Sequence, residues 1–68
     1  MKLAERMYQD ALKAADPTDL GTTNALHYRL GRVAEAQSNP QVAEEHYNEV
    51  AANDYNYLDV AQRLQNLN

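Results

Sequence analysis

A chain of 68 residues with no cysteine and a formal net charge of -4 makes one small domain at most, without disulfides or thiolate metal sites. The acid excess, with Lys2, Arg6, Lys13, Arg29, Arg32 and Arg63 scattered rather than clustered, argues against nucleic-acid binding. No apolar run nears the ~20 residues needed to span a membrane, and the N-terminus lacks the basic-then-apolar layout of a signal peptide, which sets a cytoplasmic expectation.

Four helices are expected in chain order. The first covers Lys2 to Ala15, with Leu3, Ala4, Met7, Tyr8, Ala11 and Ala15 on a 3,4-spaced apolar stripe. Asp16-Pro17 stops it, because the residue before proline is pushed out of the α region. Residues 18–23 then read as a loop, with Asp19, Thr22 or Thr23 as the cap of a second helix that runs to Gln37. Leu26, Leu30 and Val33 give that helix its core stripe. At Ser38-Asn39-Pro40, asparagine suits the cap position and proline the first helical position, so a third helix is expected from Pro40 to Ala52. A fourth is expected to begin near Asn56, carrying Leu58, Ala61, Leu64 and Leu67. No segment reads as a strand, and the expected class is all-α.

One phrase occurs twice. Ala4-Glu5-Arg6-Met7-Tyr8-Gln9-Asp10-Ala11 returns 39 residues later as Ala43-Glu44-Glu45-His46-Tyr47-Asn48-Glu49-Val50. A period of this size marks a helical repeat. Between the copies, Leu30-Gly31 precedes Ala43 by twelve residues counted from the glycine, and Tyr47 and Val50 follow at i+4 and i+7. A glycine inside a helix costs roughly 1 kcal/mol relative to alanine. The missing side chain admits a neighbouring helix, Ala43 is small for the same purpose, and Tyr47 and Val50 fill the space beside the crossing.

This spacing resembles the tetratricopeptide repeat, a helix-turn-helix unit of about 34 residues. The resemblance implies an antiparallel array of about four helices: residues 1–17 as the second helix of a partial repeat, 22–55 as a full repeat, and 56–68 as a closing helix. His27 stands where the family often has tryptophan, Ala34 where it often has tyrosine, and Asp54-Tyr55 replaces its exit Asp-Pro. The excess of 39 over the family spacing is assigned to the loop near residues 18–23. A chain opening halfway through a repeat would leave the first helix without its partner, so Leu3 and Met7 are expected to make oligomer contacts.

The family also implies a concave groove lined by one face of the second helix. Ala25, Tyr28, Arg29, Arg32 and Glu35 fall there, and tyrosine and arginine are enriched at binding hot spots. Two readings of this face stand: a groove for a protein or peptide with an acidic segment or C-terminal carboxylate, held by Arg29 and Arg32, or an exposed Tyr28–Arg32 stack with an Arg32–Glu35 ion pair. The alternative role for the whole chain is homo-oligomerisation through the first helix. Tyr8 and Tyr47 belong to the packing phrase, and Tyr55 and Tyr57 are expected to staple the last helix. His27 is assigned to packing, and His46 with Glu44, Glu45 and Glu49 to a solvated face. No nucleophile–base set, phosphate loop or metal-ligand spacing occurs. The expectation is a non-enzymatic interaction module without cofactor.

Overall fold

The computed structural model describes residues 2–67, the side chains of Lys2 and Ala4 excepted, so the packing place expected for Ala4 lies outside the described residues. Helices α1 (Lys2–Ala14), α2 (Leu20–Ala36), α3 (Pro40–Asn53) and α4 (Val60–Leu67) account for the regular structure, and no strand occurs among the described residues. The all-α class therefore holds. No described helix is long and apolar enough to cross a membrane.

The turns follow from local side-chain chemistry. After α1, Asp16 Oδ1 accepts hydrogen bonds from the Thr18 N–H (2.9 Å) and hydroxyl (2.8 Å). Asp19 is the cap of α2: its carboxylate accepts from the Thr22 N–H at 3.2 Å and the Thr22 hydroxyl at 2.7 Å. Gly21, Thr22 and Thr23, expected in a loop, thus form the first turn of α2, and the residues assigned to a longer loop lengthen the helix instead.

The end of α2 uses a left-handed residue. Ser38 has φ 60°, its N–H donates to Glu35 O (3.0 Å), and the Asn39 N–H donates to Ala34 O (2.9 Å). This pair of bonds satisfies carbonyls left open at a helix end, in a position that glycine usually occupies. Asn39 precedes α3 as expected, but its side chain makes no capping bond. The turn has already committed its backbone to Ala34, and Pro40 needs no amide partner at the first helical position.

The fourth helix begins later than expected, at Val60 rather than Asn56. Asp54 Oδ1 accepts from the Asn56 N–H at 3.0 Å, and Leu58 has φ 44°, so a helical path cannot pass through residue 58. Leu58 is 70% exposed, and Val60, at 0%, takes the core position expected for it.

Helices α2 and α3 form an antiparallel hairpin. Asn53 Nδ2 donates to the buried Asn24 Oδ1 at 3.0 Å, and at the other end Ala34 packs with Ala43 in the core. Ala34, Ala43, Tyr47, Val50 and Val60 form the core cluster, with Tyr57, Leu64 and Leu67 packed against it. Leu30 is buried, but Leu26 and Val33 of the expected core stripe are only half-buried. The reason is that α2 is a central helix: α3 covers its Asn24–Gly31–Ala34 side while α1 leans on another. On α1 the inward face is Glu5, Tyr8 and Leu12, continued by Ala15 just past its end, whereas Leu3, Met7 and Ala11 lie outside. The apolar stripe of α1 is therefore split, because α2 covers only part of it.

The closest approach is at Gly31. A Cβ placed there would lie 2.7 Å from Cδ1 and 2.8 Å from Cζ of Tyr47, distances that real side chains do not tolerate. Tyr47 has no room to retreat, since it is fully buried. Gly31→Ala is expected to lower stability by about 1–2 kcal/mol, because overpacking outweighs the roughly 1 kcal/mol gained in helix propensity. Urea unfolding followed by circular dichroism checks this, and a stabilised variant would show slack in the crossing. In contrast, Ser38→Gly is expected to stabilise by about 0.5–1 kcal/mol, since glycine relieves the left-handed cost. A lower midpoint for that variant would contradict the strain reading.

Candidate functional site

A groove of about 400 Å³ opens along α2 between α1 and the α3–α4 connection. Tyr8 of α1 forms one wall, and Tyr57 and Leu58 form the other. Along α2, Ala25, Tyr28, Arg29, Arg32 and Val33 make the floor and rim. Four of the five residues expected at a binding face, Ala25, Tyr28, Arg29 and Arg32, are thus brought together. Their spacing of three and four puts them on one side of a helix. Both arginines are exposed, and the Arg29 guanidinium lies 5.9 Å from the centre of the Tyr8 ring.

Glu35 goes elsewhere. It accepts a hydrogen bond from the Tyr47 hydroxyl, and Arg63 Nη1 approaches it at 3.3 Å. The ion pair expected between Arg32 and Glu35 is replaced by this one with α4. Arg63 Nε also donates to the Tyr28 hydroxyl at 3.1 Å and pairs with Asp59 at 3.1 Å, while the Tyr28 hydroxyl donates to Asp59. The stack expected between Tyr28 and Arg32 gives way to Arg63, whose guanidinium lies 5.9 Å from the Tyr28 ring centre. Hydrogen bonding from Tyr28 first, and then from Arg63, holds the Asp59 carboxyl below its ordinary value.

Tyr28 is consequently fixed on both sides. Its ring centre is 5.8 Å from that of Tyr47 and 5.8 Å from that of Tyr57. Such tilted aromatic pairs favour this separation. Tyr57 acts as a staple against this ring, whereas Tyr55 is largely exposed.

Sequence reasoning left out Arg63, Asp59 and Leu58 as parts of this region. Asp59 and Arg63 are an i,i+4 acid–base pair, the one sequence signal that marks them. A second arrangement also departs from expectation: His46 is half-buried rather than solvated, and its Nδ1 lies 3.0 Å from Nδ1 of His27. Leu3 and Met7, the expected oligomer contacts, lie on the outer side of α1, away from the groove floor. No group of three or more potential metal ligands occurs among the described residues.

Compared with protein-family models, curated proteins and solved structures, the chain matches none.

The Tyr47 hydroxyl carries a pH prediction. Burial first, then its bond to Glu35, pushes this phenol above its ordinary value of 10.0. The folded state therefore holds a proton that the unfolded chain releases, and stability falls as pH rises above 10. Tyr47→Phe is expected to cost about 1 kcal/mol at neutral pH and to remove this alkaline loss. Unfolding midpoints measured from neutral pH to pH 11 check both parts.

Proposed function

We propose that the chain is a tetratricopeptide-like interaction module of the cytoplasm whose groove takes an acidic peptide segment of a protein partner. Its role is binding, without catalysis or cofactor. The observation that carries the reading is the pair Arg29 and Arg32 on the rim of a tyrosine-lined groove, in a chain of net charge -4. A carboxylate there meets forked donors, and the three tyrosines offer rigid apolar contact at low conformational cost.

Leu58 supports the same reading. A leucine at positive φ that is 70% exposed gains little from burial to offset its backbone cost. Such strain collects at ligand-contact positions, and Leu58 stands at the groove lip.

A second reading rests on a separate observation. Leu3 is 74% and Met7 62% exposed, and Ala11 and Ala14 continue their line. This stripe suits pairing of α1 with the same helix of a second copy.

Fluorescence anisotropy with labelled acidic and neutral peptides tests the groove. Acidic peptides are expected to bind more tightly, and Arg29→Glu with Arg32→Glu to weaken them at least about tenfold, or ~1.4 kcal/mol, with the helical spectrum intact. Equal binding by the charge-reversed protein would sink the assignment. Leu58→Asn is expected to weaken peptide binding while leaving the fold as stable or up to about 1 kcal/mol more so, because asparagine tolerates the left-handed region. For the second reading, sedimentation at micromolar concentration should show a dimer that Met7→Glu disperses, and a strict monomer at all concentrations would remove it.

A further inference from the structure

The pair of histidines lies in the α2–α3 seam, outside the groove. Its Nδ1 atoms are 3.0 Å apart and the ring centres 5.3 Å apart, with the rings inclined by 38°. The longer distance is close to the shorter one plus two ring radii. Each nitrogen therefore sits near the line joining the ring centres, and the two point at one another.

That alignment distinguishes a hydrogen bond from a chelate. Two imidazoles holding one metal ion aim their lone pairs at a third point, which draws the ring centres closer for the same nitrogen spacing. Aimed head-on, one Nδ1 must carry a hydrogen and the other must accept it.

We propose that His27 and His46 form a proton-counting latch across the α2–α3 seam, closed with one hydrogen between the facing Nδ1 atoms and forced open when both carry one. In the neutral pair, one ring holds its hydrogen on Nδ1 and the other on Nε2. The first added proton goes to the free Nε2 of the donor ring, and the Nδ1 bond survives. The second falls on the accepting Nδ1, and two N–H groups then face each other with no acceptor between them.

The surroundings set the direction of the response. Glu5 faces the pair from α1, and Glu45 and Glu49 from α3. These carboxylates favour a proton on the pair, but burial prevails and holds both histidines below the ordinary value of 6.5. The unfolded chain therefore takes up protons first as pH falls. The stability contribution is complete above pH 6.5 and is lost as pH drops through the lowered values. Asp16 and Asp19, held below 3.8 by their bonds from Thr18 and Thr22, lose their contribution only in a more acidic window.

The seam is the one closed by Gly31 against Tyr47 and by Asn24 against Asn53. Opening it loosens the central hairpin rather than a surface loop.

Nitrogen-15 NMR of the wild-type imidazoles decides the matter. At pH 8 one histidine is expected as the Nδ1–H tautomer and the other as the Nε2–H tautomer. Two Nε2–H tautomers would overturn the proposal without any variant. On acidification the pair is expected to titrate in two steps separated by about one pH unit or more, with the amide resonances of α2 and α3 changing in the second step. In His46→Gln, the remaining His27 is expected to titrate in one step nearer 6.5, with a smaller loss of thermal midpoint between pH 7 and pH 5. Two histidines that titrate together in the wild type, or a His27 curve unchanged by the substitution, would equally refute the latch.

Discussion

The missing side chain at Gly31 sets the distance between α2 and α3, and much of the remaining structure follows from it. Tyr47 fills the space that the glycine leaves and is fully buried there. A buried phenol must find a hydrogen-bond partner. Glu35, one turn along α2 from Gly31, supplies it. A half-buried carboxylate needs a counter-charge in turn, and Arg63 reaches it from α4. The position of α4 is thereby tied to a contact two helices away. Asp59 and Tyr28 complete the same network. The buried face of α4 is small, with Val60 its one fully buried residue, so this polar tether does what a larger apolar face would do in a longer helix.

The opposite end of the chain is held differently. Helix α1 meets α2 through Tyr8 under Arg29, and the residue that ends α2 through Glu5, which accepts a hydrogen bond from the Gln37 side-chain amide at 3.1 Å. Both are partly exposed contacts, each worth little by itself. The groove thus has one wall set by tilted and edge-on tyrosine pairs and one wall on a helix whose polar contacts are partly exposed.

The helices were legible because their boundaries are written in short-range chemistry. Asp16-Pro17 disfavours continuation of α1, Pro40 suits the first position of α3, and Gly31, Ala43 and Tyr47 announce a close crossing by size alone. The fourth helix was misplaced because its boundary depends on a leucine at positive φ, and nothing in the identity of leucine signals that conformation. The solvated face expected for His46 failed for a related reason. Its neighbours Glu44, Glu45 and Glu49 make the segment look wet, but burial of a single ring is decided by which helix crosses over it. Tyr28 illustrates the same limit: its placement on the groove side of α2 was readable from periodicity, while its bond to Arg63 across 35 residues was not.

The arginines show how tertiary structure sorts residues of one type. Arg63 pairs with Asp59 one turn before it and with Glu35 across the fold, whereas Arg32, with Glu35 at i+3, and Arg29 stay at the groove. On the proposed reading, an acidic partner approaches a molecule of net charge -4, so long-range attraction does not guide it. At physiological ionic strength charges are screened beyond about 8 Å, which suppresses that distant repulsion more than contact pairing inside the groove. Recognition would then depend on the two local guanidinium groups and the aromatic floor rather than on overall charge. Added salt would act on such binding in two opposed ways, weakening the contacts while easing the approach, and the net dependence would be shallower than for a basic protein meeting the same ligand.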